Sequence, residues 1–346
     1  MGAEPEVAVI VGDWGRRRYL GSALKSLDAQ TLARARFEVV VTKNYRDPKL
    51  DRALDEAGVT ALFDEERRIG RWLRRAVNAS RAPILTFLDD DDEFEPERLA
   101  QVVETFARFP DLGFYRNRVA VIDRDGRPVP RESWRSLEVD PEFDRLGPVH
   151  IGADDPDRIV DLATRRTFAT FNSSTMALRR ELLVGDVGDA FERTQLPDQF
   201  LFLAAVLARR GIYLDDRRLT RYRFYPGNVT REVPWLGHAE DSYRDMTEVA
   251  ARHGHPEVAA WLSGRAVHYG RMFRGGTLVT RVVAGAPRRE VARRTAEYLR
   301  YLARHPEERQ WTLDIWAAGA YGLGYVPLGP LASRLARARV TTRPAV

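Results

Sequence analysis

The chain has 346 residues, 44% of them hydrophobic and 30% charged, with a net charge of +5 and no cysteine. That length suggests one large or two modest domains around a sizeable core, and the absence of cysteine excludes disulfides, thiolate metal sites and cysteine nucleophiles together. Lys25, Lys43 and Lys49 are the only lysines, so the positive charge is almost all arginine; this suits forked binding of phosphate or carboxylate, although a GC-rich genome or adaptation to heat gives the same bias.

Val7 to Val11 is apolar and β-branched and reads as a buried parallel strand ended by Gly12. Tyr19 to Ala29 has helical spacing, Phe37 to Val41 is a second strand, Leu50 to Ala57 a helix, Val59 to Phe63 a third strand and Ile69 to Ala79 a helix. Ile84 to Leu88 is a further strand, Glu97 to Arg108 an amphipathic helix stopped by Pro110, and Gly113 to Ile122 another strand. Strands alternating with helices imply a mostly parallel sheet with right-handed crossovers, so residues 1–125 read as a nucleotide-binding α/β half. Between Arg131 and Arg166 the pattern weakens into a long excursion rich in Pro, Gly and Asp. Phe171 to Arg179 and Ile212 to Tyr225 look β-like, with a helix from Asp198 to Arg209 between them. From about Pro234 the chain turns helical, over Ala239 to His253, Pro256 to Gly270 and Arg288 to Ala303. The expected division is therefore 1–233 and a helical extension, 234–346.

Ile315 to Ser333 carries no charge, is bordered or interrupted by Trp311, Trp316, Tyr321 and Tyr325, and is followed by Arg334, Arg337 and Arg339. Its glycines and prolines argue against a straight spanning helix. Aromatics with a basic flank fit a segment lying on a membrane surface; packing against the body of the same protein fits as well. The acidic N-terminus runs directly into the first strand, so no leader peptide is expected and the expected location is cytoplasmic, peripheral on the inner face of the cell membrane if the tail binds lipid.

The chemistry concentrates in Asp89-Asp90-Asp91-Asp92-Glu93, at the end of the fourth strand. Clustered carboxylates repel one another unless a cation sits among them, and hard oxygen ligands suit Mg²⁺ or Mn²⁺, commonly shared with substrate phosphates. A solvated acidic turn ahead of the helix that Pro96 introduces is the plainer alternative. No P-loop, no dinucleotide glycine fingerprint and no zinc spacing among the six histidines is present. The arginines are dispersed among acids rather than gathered in a stripe, so no nucleic-acid partner is expected.

Three segments in order resemble the family 2 glycosyltransferases, which have the GT-A fold. They are Val7 to Val11 with Tyr19-Leu20, Ser26-Leu27 and Gln30-Thr31; Phe87-Leu88-Asp89-Asp90-Asp91-Asp92 with Pro96 and Leu99; and Leu196-Pro197-Asp198-Gln199 with Leu219 to Thr230. The resemblance covers roughly residues 5 to 231. It implies an α/β GT-A fold, Rossmann-like, with a helical C-terminal extension outside it. It implies a hexosyl-type transferase using a nucleotide-sugar donor, a divalent ion and a glycan or lipid-linked acceptor, inverting by single displacement. By the same resemblance Asp91 and Asp89 hold the metal, Asp89 or Asp90 reaches the ribose, and Asp198 is the base, although an ordinary helix N-cap is the alternative for Asp198. Gly12, Asp13, Trp14, Lys43, Asn44 and Arg75 fall at donor-binding positions, Trp14 either stacking on a base or packing in the core. Arg71, Arg74 and Arg75 cover more than one helix face, so they do not all meet the donor. Asn172-Ser173-Ser174-Thr175 falls where the family places acceptor contacts. The chain departs from the family at Gly12-Asp13-Trp14-Gly15 (for Pro-Thr-Tyr-Asn), at Thr42-Lys43-Asn44 (for paired aspartates), at Pro197 (for Glu) and at Tyr225 (for His), which leaves the base open and admits a catalytically inactive nucleotide- or carbohydrate-binding protein on the same scaffold.

Overall fold

A computed structural model describes residues 4–13, 15, 17–66, 68–130, 147–165, 167–225 and 233–306. Trp14, residues 131–146 and 166 of the 131–166 excursion, and the uncharged segment 315–333 lie outside these residues. The chain divides into two compact units, Met1–Asn228 with Asp245–Ala259, and Val229–Arg244 with Ala260–Val346.

The first unit is built on one mixed sheet. β1 (Val7–Asp13), β2 (Phe37–Lys43), β3 (Thr60–Phe63) and β4 (Ile84–Asp89) are parallel neighbours in the order β3-β2-β1-β4. Every residue of β1 is buried, as its Val/Ile/Ala run requires of a strand covered on both faces. β8 (Met176–Arg179) then inserts antiparallel between β4 and β6 (Leu112–Ile122), and β9 (Gly211–Arg223) runs parallel to β6. Two short strands, β5 (Glu93–Phe94) and β7 (Val149–Ile151), pair antiparallel with β9. β1, β2, β3, β4, β6 and β9 thus share one direction, and β5, β7 and β8 oppose it.

The helices follow the apolar periodicity. α1 (Arg17–Asp28), α2 (Pro48–Glu56), α3 (Ile69–Ala79) and α4 (Arg98–Arg108) each connect sheet strands. Leu20, Ala23 and Leu27 of α1 and Leu99, Val102, Val103 and Phe106 of α4 pack with Val9, Val39 and Leu88 in one core. Burying each such aliphatic side chain contributes about 1.5–3 kcal/mol. Beneath the sheet Arg98 is fully buried, donating to Thr86 Oγ1 (2.8 Å), Asn117 Oδ1 (3.1 Å) and the Met176 carbonyl (3.3 Å). Burial brings its guanidinium down to about 10, which still leaves it charged at neutral pH.

The sequence pattern and the structure part company in several places. The β-like stretch from Phe171 is a strand only from Met176. Asn172 takes φ +61°, a conformation no strand residue adopts, and a tight 3₁₀ turn follows at Ser173–Thr175. α5 (Pro156–Arg165) and α6 (Gly185–Arg193), rich in turn formers, are helices that the pattern did not announce. α7 (Pro197–Leu207) carries buried residues at every position from Phe200 to Leu207, as a helix apolar on all sides must.

The remaining helices are α8 (Val233–Arg252), α9 (Pro256–Val283) and α10 (Arg288–Arg304). α9 runs past the expected end at Gly270 because that glycine is a packing site. A methyl group there would sit 2.7 Å from Glu240 Cδ. In the second unit Glu240, almost wholly buried, is paired with Arg244 and Arg274, and Leu278, Val291, Tyr298 and Leu302 form a small core. No helix among the described residues is long and apolar enough to cross a membrane.

Candidate active site

The strand order reverses between β1 and β4: β2 and β3 lie on one side of β1, β4 on the other. Open α/β sheets bind ligands in the crevice at such a point, outside the carboxyl ends of the strands. Gly12 and Asp89 are register partners there, and the acidic run turns over this edge, the Asp92 N–H donating to the Asp89 carbonyl at 3.1 Å.

One oxygen each from Asp89, Asp91 and Asp92 lies within 4.8 Å of the others. Asp90 is wholly buried in the turn between them. Asp92 is also buried, and its oxygens accept from Asn172 Nδ2 (2.9 Å), Ser174 Oγ (2.7 Å) and the Arg223 N–H (2.9 Å). A carboxylate has about four acceptor positions, so Asp92 is largely saturated by protein donors. Asp89 accepts from Ser173 Oγ (3.2 Å), and Asp91 from the Tyr225 hydroxyl (3.1 Å). Burial, then the charges of Asp91 and Asp89, push the Asp92 carboxyl well above the usual carboxylate range; the donors from Asn172 and Ser174 oppose this without offsetting it. Three hard carboxylates under mutual repulsion could hold a divalent cation among them.

Asp198 faces this cluster from α7. The helix is capped by Leu196 with no side-chain hydrogen bond and begins at Pro197, so Asp198 is in its first turn and is not its N-cap. Its Oδ2 accepts the Asn172 N–H at 3.2 Å. Burial raises its pKa to about 7, with the negative charge of Asp89 as the second cause; the backbone amides of Asn172, Asp198 and Ser173 pull it down. Asp198 keeps some exposed surface, and a carboxyl that titrates near neutrality while open to a ligand is suited to proton transfer. The loop before it is fixed by a close approach of α3. The Gly70 N–H donates to the Thr194 carbonyl (3.0 Å) and the Ile69 N–H to Gln195 Oε1 (3.2 Å). A methyl group on Gly70 would lie 2.8 Å from the Thr194 oxygen and closer still to that of Phe191.

Of the expected donor positions, Asp13 is buried at the end of β1, accepting from the Gly15 N–H (2.8 Å) and from the Tyr45 hydroxyl. Gly15 takes φ +84°, and Asn44 is half-buried beside it. Lys43 and Arg75, also expected at donor positions, meet groups of the protein itself. Lys43 is 2% exposed; its ammonium pairs with Asp51 (2.7 Å) and donates to the Tyr45 carbonyl (2.8 Å), so it serves the β2–α2 junction. Arg75 donates to Asp64 Oδ2 (2.8 Å) and to the Phe63 carbonyl (2.9 Å), and Arg71 shares the same carboxylate. Arg74 points elsewhere, to the Leu183 carbonyl. Pro197 starts α7, a position that tolerates a missing N–H.

The sequence reading passed over Arg223, Asp92 and the roles of Asn172 to Ser174. Arg223 is buried and donates to the Asp91 carbonyl (2.8 Å), the Asp123 carbonyl (2.9 Å) and Glu93 Oε1 (2.6 Å), tying the acidic turn to β9. The polar run Asn172 to Ser174 was visible as such, but it meets the acids themselves.

Comparison with known proteins bears on the family and the fold. The profile of glycosyl transferase family 2 matches residues 9–183, half of the chain. An uncharacterized glycosyltransferase of Nostoc is 26% identical over 136 residues, 37% of this chain and 41% of that protein, so the alignment spans less than half of the relative. Among solved structures, TarS 1–349 of S. aureus superimposes with a TM-score of 0.55 at 16% identity, covering 83% of this chain and 82% of that one. The same protein in complex with UDP-GlcNAc gives 0.53 at 16% identity, covering 83% of each chain. At this identity the likeness is one of fold.

Proposed function

Because the chain belongs to glycosyl transferase family 2, we propose that it moves a sugar, of hexosyl type, from a nucleotide-sugar donor to a hydroxyl of a glycan or lipid-linked acceptor. In this reading residues 1–125 hold the donor and 126–233 the acceptor, and 234–346 are an extension. The observation that carries it is Asp198, a carboxyl titrating at about 7 and facing Asp89 of the acidic cluster.

The chemistry follows from charge. As the acceptor oxygen attacks the anomeric carbon, Asp198 takes its proton; the bond to the diphosphate breaks and its electron pair leaves with the phosphate. Attack and departure on opposite faces invert the anomeric centre in a single displacement. Asp89 and Asp91 would hold Mg²⁺ or Mn²⁺, which, when bound, neutralises the charge on the diphosphate. Asp92, Ser173, Ser174 and Arg223 keep the two ligands in place, and Tyr225, where the family has His, orients Asp91. The inward pairing of Lys43 and the absence of paired aspartates after β2 leave the nucleotide base open.

The test is thermal melting with and without Mn²⁺ across UDP-, GDP-, dTDP- and CMP-linked sugars, beside Asp91→Asn. A ligand binding only the native state raises its stability by mass action. A Mn²⁺-dependent shift with one nucleotide, lost in the variant, is the expected result. No shift with any of them would sink the reading.

A further inference from the structure

The exposed side of α10 carries charge of one sign. Arg288, Arg289, Arg293, Arg300 and Arg304 are all exposed, and at 3.6 residues per turn they fall within roughly half of the helix circumference. The two acids of α10 are half-buried and already paired, Glu290 with Arg281 (3.4 Å) and Glu297 with Arg293 and Arg294 (3.2 Å each). Arg288, Arg289, Arg300 and Arg304 have no acidic partner among the described residues. Packing does not ask for this arrangement, because Val291, Tyr298, Tyr301 and Leu302 bury the opposite side. Like charges four apart, as in Arg289–Arg293 and Arg300–Arg304, weaken a helix, and arginines at its first two positions oppose the helix dipole. Apolar surface runs beside this charge. Leu299 is 43% exposed, one of two large hydrophobic side chains left open among the described residues, and Ala292, Ala296 and Ala303 are exposed on the same side. On the helix these four form a strip with Arg288 along one edge and the other four arginines along the other.

A negative surface complements this face, and the chain does not supply one: residues 307–346 carry five arginines against three acids. A second copy would present the same positive charge. Single-stranded nucleic acid is held by basic groups together with aromatic rings on which bases stack, and the two tyrosines of α10, Tyr298 and Tyr301, are buried. An apolar strip flanked by arginines is the pattern of a helix lying in the interface of a bilayer. Independently of what the first unit catalyses, we propose that this side of α10 lies on an anionic lipid bilayer, with Leu299 and the alanines entering the headgroup level and the arginines meeting lipid phosphates. The contact belongs to α10 itself and does not require the uncharged segment 315–333.

The experiment uses the full chain and vesicles of phosphatidylcholine, alone or with about a third phosphatidylglycerol. On flotation the protein should rise with the anionic vesicles and stay behind with phosphatidylcholine. Arg289→Glu together with Arg300→Glu should weaken the binding at least about ten-fold, given what each basic residue gains near such a surface. Because the chain has no cysteine, Leu299→Cys takes a single environment-sensitive dye, which reads the contact even if the double variant does not fold. Its emission should be that of a dye in water for the protein alone and should move to the blue with anionic vesicles. The same dye on Val184→Cys, 53% exposed in the first unit, should not move. No binding to anionic vesicles, or equal binding to both kinds, overturns the proposal. Binding that the arginine substitutions leave intact, or a dye at position 299 that does not move, also overturns it, because the contact then lies elsewhere in the chain. A blue emission before vesicles are added would mean that the protein covers the face itself, and equal shifts at both positions would mean adsorption without orientation; either result sinks it. A DNA duplex bound more tightly than the vesicles, and weakened by the same substitutions, would give the face to nucleic acid instead. None of these outcomes bears on the transferase reading, which the nucleotide-sugar melts test separately.

Discussion

Replacing Asp198 with asparagine should make the protein more stable while it loses activity. The carboxyl is raised from its ordinary 3.8 to about 7 by burial and by the charge of Asp89. At about 1.4 kcal/mol per pH unit, holding it ionised in the fold costs roughly 4 kcal/mol at pH 8, and partial solvent access brings the expectation to about 2–4 kcal/mol. The sign follows from proton binding. Below about pH 3.8 the group is protonated in both folded and unfolded chains, and wild type and variant should match. Between 3.8 and 7 the native state keeps a proton that the unfolded chain has released, so wild-type stability falls relative to the variant as pH rises. Above 7 the deficit is complete. Asparagine is isosteric and can still accept the Asn172 N–H through its oxygen. Melting curves from pH 4 to 8 with a chelator present should show the variant gaining on the wild type by several degrees, at roughly 2 °C per kcal/mol. Nucleotide-sugar turnover should fall by about 10²–10⁴, the usual contribution of a general base. A melting gap that does not change with pH, or a variant less stable than wild type at pH 8, would refute the assignment of a strained carboxylate.

Two further substitutions probe the frame around the site. Gly70→Ala should destabilise the first unit by about 3 kcal/mol, because the added methyl meets backbone carbonyls that cannot turn aside as a side chain would; an unchanged melting temperature contradicts the close approach of α3 to the loop before α7. Tyr225→Phe removes the hydroxyl that donates to Asp91 Oδ2 and should weaken Mn²⁺ about ten-fold in a melting titration, as loss of an outer partner of a ligand does; a Mn²⁺ curve that overlays the wild type would mean that Asp91 needs no such support.

The parallel half of the sheet could be read from the chain because its signals are local. Val7 to Val11 and Ile84 to Leu88 are short β-branched or apolar runs, and Ile69 to Ala79 has the helical period throughout its length. The acidic run was equally plain, since it breaks the apolar run of β4 in one step. What escaped was set by partners far along the chain. Nothing local in Arg223 distinguishes it from the other arginines of β9, and only the return of β9 past the acidic turn makes it a buried tether. Lys43 and Arg75 sit where donor contacts were expected, and their pairing with Asp51 and Asp64 is a matter of neighbouring charges that spacing cannot resolve. α9 continues through Gly270 because Glu240 and Tyr301 occupy the space a side chain would need, so tertiary packing overrides the helix-breaking tendency of glycine.

The insertion of β8 against the direction of its neighbours has a consequence for how the molecule is made. Because β8 runs backwards, the residues just before it meet those just after β4, and the three donors that satisfy Asp92 stand 80, 82 and 131 positions downstream of it. A ribosome adding roughly 5–20 residues per second needs on the order of ten seconds to pass from Asp92 to Arg223. For the first part of that interval the nascent acids have none of the three donors, and until its end they lack the last, the Arg223 N–H. The parallel half of the sheet is therefore no detachable module: its carboxylates take their final arrangement only when the last strand of the sheet has been synthesised and threaded home.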